Sequence, residues 1–236
     1  MRRLDNLDVV RTYYEAINSA DLARLMTVCD DEIVFQNPDD AADPGTRVGK
    51  SGVREAASNL REAFDLLAHN YIPTTVHAGE ADGIHSIRGA LFDGRALRLG
   101  HGVRIAEDVI TAREDDENTY VTLGPVAQWV KDREIALELS PSSNLQTGAI
   151  EQWGDELIDH PFDLLYQLGF RVTVNTDNRL MTATTLSREL ALLADAFGYD
   201  LTDLAVFQLN AAASSFLSLE EREELADAIT TGFEQA

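Results

Sequence analysis

Residues 171–178 read Arg-Val-Thr-Val-Asn-Thr-Asp-Asn, a short β-type run that passes directly into polar side chains. Three similar runs precede it, and each is followed by a turn and a stretch with helical spacing of apolar residues. The four predicted strands are residues 74–77, 96–100, 135–139 and 171–175. Such runs are typical of parallel strands buried on both faces, so the sequence predicts an α/β fold in which helices cover a parallel sheet.

Helices are predicted wherever apolar residues recur at intervals of three and four. The longest, residues 51–68, precedes the first of these strands and keeps one apolar face throughout. The later predicted helices are residues 83–91, 123–131, 161–168, 186–197, 201–214 and 219–233. Ahead of the long helix, the sequence favours two short helices in residues 9–28, a strand at 32–36 and a polar loop to about residue 49.

Composition excludes several classes of protein. The chain has 236 residues, 44% of them hydrophobic, which is enough for a sizeable core. Its 41 acidic and 19 basic residues give a net charge of -22, which would repel a phosphate backbone and argues against nucleic-acid binding. No apolar run approaches the ~18 residues that cross a bilayer, so we expect no membrane partner and a cytoplasmic location. The single cysteine, Cys29, cannot form an internal disulfide.

Polar side chains follow all four predicted strands. Ligands gather at the carboxyl ends of parallel strands, because the loops there can aim side chains at one point. The residues at these ends are His77 to Glu80, then His101, then Ser140 to Asn144, and finally Asn175 to Asn178. We therefore expect one site at this edge of the sheet.

The residue types at the strand ends suit zinc chemistry. His77 and Asp177 are candidate ligands, because imidazole and carboxylate both bind Zn²⁺. Glu80 is the candidate general acid/base, and His101, between two glycines, would orient or stabilise the attacking hydroxide. Each residue alone also has a structural explanation: a buried histidine satisfied by its neighbours, or a carboxylate placed at a helix N-terminus.

Four segments at these strand ends resemble the second half of the adenosine deaminase family. They are His-Ala-Gly-Glu at 77–80, Arg-Leu-Gly-His-Gly at 98–102, Leu-Glu-Leu-Ser-Pro-Ser-Ser-Asn at 137–144 and Val-Thr-Val-Asn-Thr-Asp at 172–177. His160-Pro161-Phe162 and the segment 185–189 agree with the same family. The resemblance covers residues 65–236.

The resemblance implies a zinc-dependent hydrolase on a TIM-type barrel, in which hydroxide attacks C6 of adenosine to yield inosine and ammonia. His77 and Asp177 match zinc ligands, Glu80 matches the proton donor to the purine ring, and His101 matches the group that activates the water. Asp177 and Asn178 are the implied substrate contacts. Asn178 stands where many members have a second aspartate.

The family's His-x-His pair, which supplies two further zinc ligands, does not occur in this sequence. The five histidines are His69, His77, His85, His101 and His160. A catalytic zinc site uses about three protein ligands and an open position, and the resemblance matches two. Two functions therefore stay open: an active zinc-dependent adenosine deaminase, or a catalytically inactive remnant that oligomerises or binds a ligand.

The beginning of the chain resembles a different family. Residues 9–18, 21–22, 30–37 and 49–55 are similar to the start of the SnoaL-like α+β family. This divides the chain into a partial SnoaL-like segment, residues 1–64, and the last four βα units of an incomplete TIM-type barrel, residues 65–236. Four strands cannot close a barrel, so we expect a homo-oligomer that covers the open half-barrel.

Overall fold

The computed structural model describes residues 34–37, 45–114 and 119–235. Its strands are β1 (Val34–Asn37), β2 (Gly45–Val48), β3 (Thr75–Ala78), β4 (Arg98–His101), β5 (Val109–Glu114), β6 (Thr119–Leu123), β7 (Ala136–Leu139) and β8 (Val172–Val174). Its helices are α1 (Gly49–His69), α2 (Ile84–Phe92), α3 (Pro125–Asp132), α4 (Pro141–Gln146), α5 (Phe162–Gln167), α6 (Arg179–Thr182), α7 (Leu186–Phe197), α8 (Leu201–Ser214) and α9 (Leu219–Glu234). Short 3₁₀ helices cover Val103–Asp108 and Leu157–Asp159.

The central feature is a parallel sheet with strand order β3-β4-β7-β8. These strands overlap the four predicted from the sequence, and the intervening helices also lie where apolar periodicity places them. The register pairs His77 with Gly100, Gly100 with Glu138, and Glu138 with Thr173. The α/β fold with a parallel sheet is confirmed, and the four strands end at one edge.

One face of this sheet packs against the helices and forms the core. Leu99, Leu137 and Val172 are fully buried there, together with Ile87 of α2. An aromatic cluster closes the core beside β8, with Phe162 and Phe207 rings 5.0 Å apart in an edge-to-face arrangement. Burial on this face positions the strands, and therefore the loops at their carboxyl ends.

The other sheet face is polar, and we call Thr75, His77, Arg98 and Glu138 the polar face. Glu138 accepts a hydrogen bond from Thr75 Oγ1 at 2.7 Å and pairs with Arg98 Nε at 2.9 Å. Thr75 and His77 are exposed. The prediction that each strand is buried on both faces is therefore wrong for β3, which is an edge strand of this sheet and alternates polar and apolar side chains.

Two antiparallel pairs accompany the parallel sheet. β1 pairs with β2, and β5 pairs with β6. The prediction of a loop from residue 37 to 49 is therefore wrong at Gly45–Val48, where the backbone pairs with β1. The β5–β6 pair was not predicted, because its exposed, polar sequence lacks an apolar run.

Some predictions concern residues outside the described ranges. The two short helices expected in residues 9–28 are among them, and Cys29 also lies outside the described ranges. Within the described ranges, no helix combines the length and apolar character needed to span a membrane.

Candidate active site

The loops that follow β3 and β4 are joined by backbone hydrogen bonds. Gly102 N–H donates to Ala78 O at 2.8 Å, and Arg104 N–H donates to Gly79 O at 2.9 Å. Gly79 and Gly102 both have positive φ, and a Cβ on either would meet a core side chain at less than 3.0 Å. Glycine at these two turns therefore brings the ends of β3 and β4 close together.

His77, Glu80 and His101 converge at this edge. One ligand-type atom from each lies within 4.8 Å of the others. His101 Nε2 is 3.4 Å from Glu80 Oε2, and the His77 and His101 rings meet edge-on with centroids 4.9 Å apart. The structure thus brings together three of the four candidate catalytic and ligand residues, His77, Glu80 and His101, and leaves Asp177 outside the group.

The neighbouring strand leaves room for the His77 ring. Gly100 is paired with His77 across β3 and β4, and a Cβ at Gly100 would lie 2.6 Å from His77 Cδ2. A larger residue at position 100 would force the imidazole aside. Gly100 is therefore required by the placement of His77 and not by a special backbone conformation.

His101 is almost completely buried, at 3% exposure. Burial lowers the pKa of His101 below 6.5, the nearby His77 acts in the same direction, and the charges of Glu80, Asp177 and Glu138 oppose the change. The net direction favours neutral imidazole at neutral pH.

Ser143 and Asn144, in the segment after β7, contact residues at the ends of the neighbouring strands. Asn144, which is fully buried, places Nδ2 3.0 Å from His101 Nδ1 and Oδ1 3.2 Å from His160 Nε2. Ser143 Oγ donates to Asp177 Oδ2 at 2.6 Å. This segment therefore connects the ends of β4, β7 and β8.

Asp177 and Asn178 follow β8. Asp177 is exposed and lies outside the 4.8 Å group, although its charge acts on His101. The Asn178 side-chain oxygen caps α6 by accepting hydrogen bonds from Leu180 N–H and Met181 N–H. The ligand role of Asp177 and the substrate contacts of both residues stay predictions.

Comparison with known proteins places the chain in a family. The family model described as "Adenosine deaminase" matches residues 16–232. The chain belongs to the adenosine deaminase family. An adenosine deaminase from Mycobacterium avium strain 104 is 47% identical over 168 residues, covering 71% of this chain and 45% of that relative. An adenosine deaminase from Mycobacterium sp. strain JLS is 49% identical over 166 residues, covering 70% and 44%.

Solved structures with the same fold include a deaminase and an amidohydrolase. The adenine deaminase of Arthrobacter aurescens superposes with a TM-score of 0.62 at 24% identity, covering 74% of this chain and 47% of that one. A Burkholderia ambifaria amidohydrolase with bound zinc gives a TM-score of 0.60 at 18% identity, covering 92% and 53%. The chain thus spans about half the length of the deaminases and amidohydrolases to which it is similar.

The adenosine deaminase match begins at residue 16 and overlaps the segment that resembles the SnoaL-like family. That resemblance, and the boundary between residues 64 and 65, stay predictions. The other histidines that could have served as ligands lie elsewhere: His69 is exposed on the last turn of α1, and His85 is exposed on α2.

Sequence reasoning did not assign a role to Glu189, which is completely buried on α7. Its carboxylate accepts hydrogen bonds from Ser142 N–H at 3.0 Å and from Thr184 Oγ1 at 2.6 Å. It therefore anchors the N-terminal turn of α4, which carries Ser143 and Asn144. The signal was an acidic residue on the apolar side of a helical pattern, where a carboxylate needs buried donors.

Proposed function

We propose that this chain hydrolyses the C6 amino group of a purine, converting adenosine and water to inosine and ammonia. The observation that carries the proposal is the convergence of His77, Glu80 and His101 at the carboxyl edge of a parallel sheet. Membership in the adenosine deaminase family and relatives named adenosine deaminase support this choice of reaction.

The residues at the site fit a zinc ion. His77 belongs to a group of two imidazoles and a carboxylate whose ligand atoms lie within 4.8 Å of one another, and imidazole and carboxylate both bind zinc in hydrolases. We assign His77 of this group and Asp177, which lies outside it, as the ligands, with support from the family resemblance and from the zinc in the Burkholderia neighbour. When bound, zinc would act as a Lewis acid that makes water nucleophilic at neutral pH.

The remaining side chains have distinct tasks in this proposal. Glu80 is partly exposed, within reach of both histidines, and would deliver a proton to the purine ring as water adds at C6. His101 would orient the attacking oxygen from its buried position. Asp177 and Asn178, at the exposed end of β8, would contact the purine.

The architecture around the site is part of the proposal. The four parallel βα units would correspond to the last four of a TIM-type barrel, and a homo-oligomer would cover the polar face. The first segment, residues 1–64, would be a partial SnoaL-like unit. A soluble chain that is monomeric by light scattering would argue against the oligomer.

The proposal is tested by measuring zinc content and ammonia release together. We expect the purified chain to retain about one zinc ion and to release ammonia from adenosine, with loss of both after chelation and recovery on adding zinc. Adenine is the second substrate to test. A zinc-loaded chain that releases ammonia from neither purine would contradict the proposal.

The same measurement addresses the alternative, a catalytically inactive remnant that binds ligands or oligomerises. The sequence observation in its favour is the absence of a His-x-His pair, which leaves two ligands matched to the family pattern. Retained zinc with no ammonia release would support a binding role. Ammonia release that depends on zinc would exclude it.

A further inference from the structure

A line of buried hydrogen bonds runs from the backbone of α5 to the candidate site. Phe162 N–H donates to His160 Nδ1 at 3.0 Å, and His160 Nε2 lies 3.2 Å from Asn144 Oδ1. Asn144 Nδ2 lies 3.0 Å from His101 Nδ1, and His101 Nε2 faces Glu80. The three side chains His160, Asn144 and His101 are at most 3% exposed, so bulk solvent does not reach these hydrogen bonds.

Two backbone N–H groups, those of Phe162 and Ser140, fix which atom donates in every hydrogen bond of this line. A backbone N–H can only donate, so His160 Nδ1 must accept from Phe162 and the proton of neutral His160 must be on Nε2. That proton points at Asn144 Oδ1, which also accepts from Ser140 N–H at 3.4 Å. The amide of Asn144 therefore presents its NH₂ group to His101.

The opposite orientation of Asn144 is disfavoured. It would point the amide NH₂ at His160 Nε2–H and at Ser140 N–H, so that donors would face donors in a buried space. Each unsatisfied buried donor costs about 1–3 kcal/mol. His101 Nδ1 must then be an acceptor, and the proton of neutral His101 must be on Nε2.

We propose that Asn144 and His160 are positioning residues that hold His101 in the tautomer with its proton on Nε2. His101 thereby presents a hydrogen-bond donor to the space shared with His77 and Glu80. Resting on the proposed function, this means that neutral His101 orients the attacking oxygen by donating a hydrogen bond, and that it does not accept the proton of the water at Nε2. Proton transfer falls to Glu80, whose carboxylate would take the proton that the water loses and pass it to the purine ring nitrogen, and would then carry the proton of the new hydroxyl group to the departing amino group.

The tautomer can be measured without any assay of deamination. In the full chain labelled with ¹⁵N-histidine, long-range ¹H–¹⁵N correlation spectra at neutral pH distinguish a protonated ring nitrogen from an unprotonated one. We expect His101 to show a protonated Nε2 and an unprotonated Nδ1, and His160 to show the same pattern. A protonated Nδ1 at His101, or exchange averaging between both tautomers, would overturn the proposal.

An isosteric substitution tests the role of Asn144. In Asn144→Asp both side-chain oxygens accept, so we expect Nδ1 of His101 to become protonated. The control Asn70→Asp makes the same chemical change at an exposed position on the C-cap of α1, and should leave the His101 pattern unchanged. An unprotonated Nδ1 in Asn144→Asp would refute the positioning role.

These outcomes are separate from the proposed function. The wild-type spectrum decides the tautomer even where a variant does not fold. If the chain shows the expected tautomer but releases no ammonia, the positioning of His101 by Asn144 and His160 is supported and the proposed deamination is contradicted.

Discussion

At the scale of single residues, His101 at the end of β4 and Asp177 after β8 share an unusual backbone conformation. His101 has φ of 62° and Asp177 has φ of 50°, in the left-handed region that non-glycine residues rarely adopt. Such conformations persist where the surroundings impose them and concentrate at functional sites. Here they turn the chain sharply at the ends of β4 and β8, toward the common edge.

This conformation predicts an order of stability at Asp177. Both Asp177→Ala and Asp177→Gly remove the carboxylate, but only glycine relieves the left-handed backbone. We expect the glycine variant to be more stable than the alanine variant by about 1 kcal/mol, measured by urea unfolding. Equal stabilities would show that the backbone of Asp177 is not strained.

His160 predicts a dependence of stability on pH. Burial lowers the pKa of His160 from 6.5 to about 3. Below pH 6.5 the unfolded chain therefore binds a proton that the folded chain excludes, so stability falls as pH falls from 6.5 toward 3, by up to about 1.4 kcal/mol per pH unit. We expect His160→Gln to reduce this fall in urea unfolding at about pH 5 compared with about pH 7.

The matched control is His85→Gln, because His85 is exposed on α2. It should leave the slope of stability with pH unchanged. If both variants kept the wild-type slope, the acid sensitivity would have to come from other groups.

At the scale of elements, Glu189 of α7 holds the first turn of α4. Replacing it with alanine leaves Ser142 N–H and Thr184 Oγ1 without their acceptor and opens a cavity. We expect Glu189→Ala to lower the free energy of unfolding by about 2–4 kcal/mol. The control Glu223→Ala removes an exposed carboxylate of α9 and should change stability by less than about 0.5 kcal/mol. A similar small effect at Glu189 would contradict the anchoring role.

The elements differ in how far the sequence predicts them. Apolar runs predict the parallel strands, and apolar residues at helical spacing predict the later helices. Both patterns arise because these strands and helices bury their apolar side chains against one another. The pair β5 and β6 does not, because Ile110 and Tyr120 are exposed and the pairing depends on backbone hydrogen bonds between neighbours.

The site shows the same division. His77, Glu80 and His101 could be predicted because each lies at the carboxyl end of an apolar run or directly after it. The contacts of Asn144 with His101 and His160 could not, because they join residues 43 and 16 positions apart and require the tertiary fold.

At the scale of the whole molecule, the net charge of -22 is the dominant property. Repulsion among 41 acidic residues opposes compaction, and salt screens it. We therefore expect the Tm to rise between low and molar KCl, with NaCl giving the same curve at equal ionic strength. A Tm that does not change with either salt would show that repulsion among the acidic residues does not limit the stability of the chain.

The catalytic role of the cluster of Glu80, His77 and His101 is tested most directly by the rate of ammonia release in a Glu80 variant. Initial ammonia release from adenosine should fall by at least about 100-fold in Glu80→Gln, which keeps the shape of the side chain but cannot deliver the proton. The control Glu151→Gln, at an exposed position outside the cluster, should keep the wild-type rate. Wild-type ammonia release from Glu80→Gln would contradict the assignment of this site as the catalytic centre.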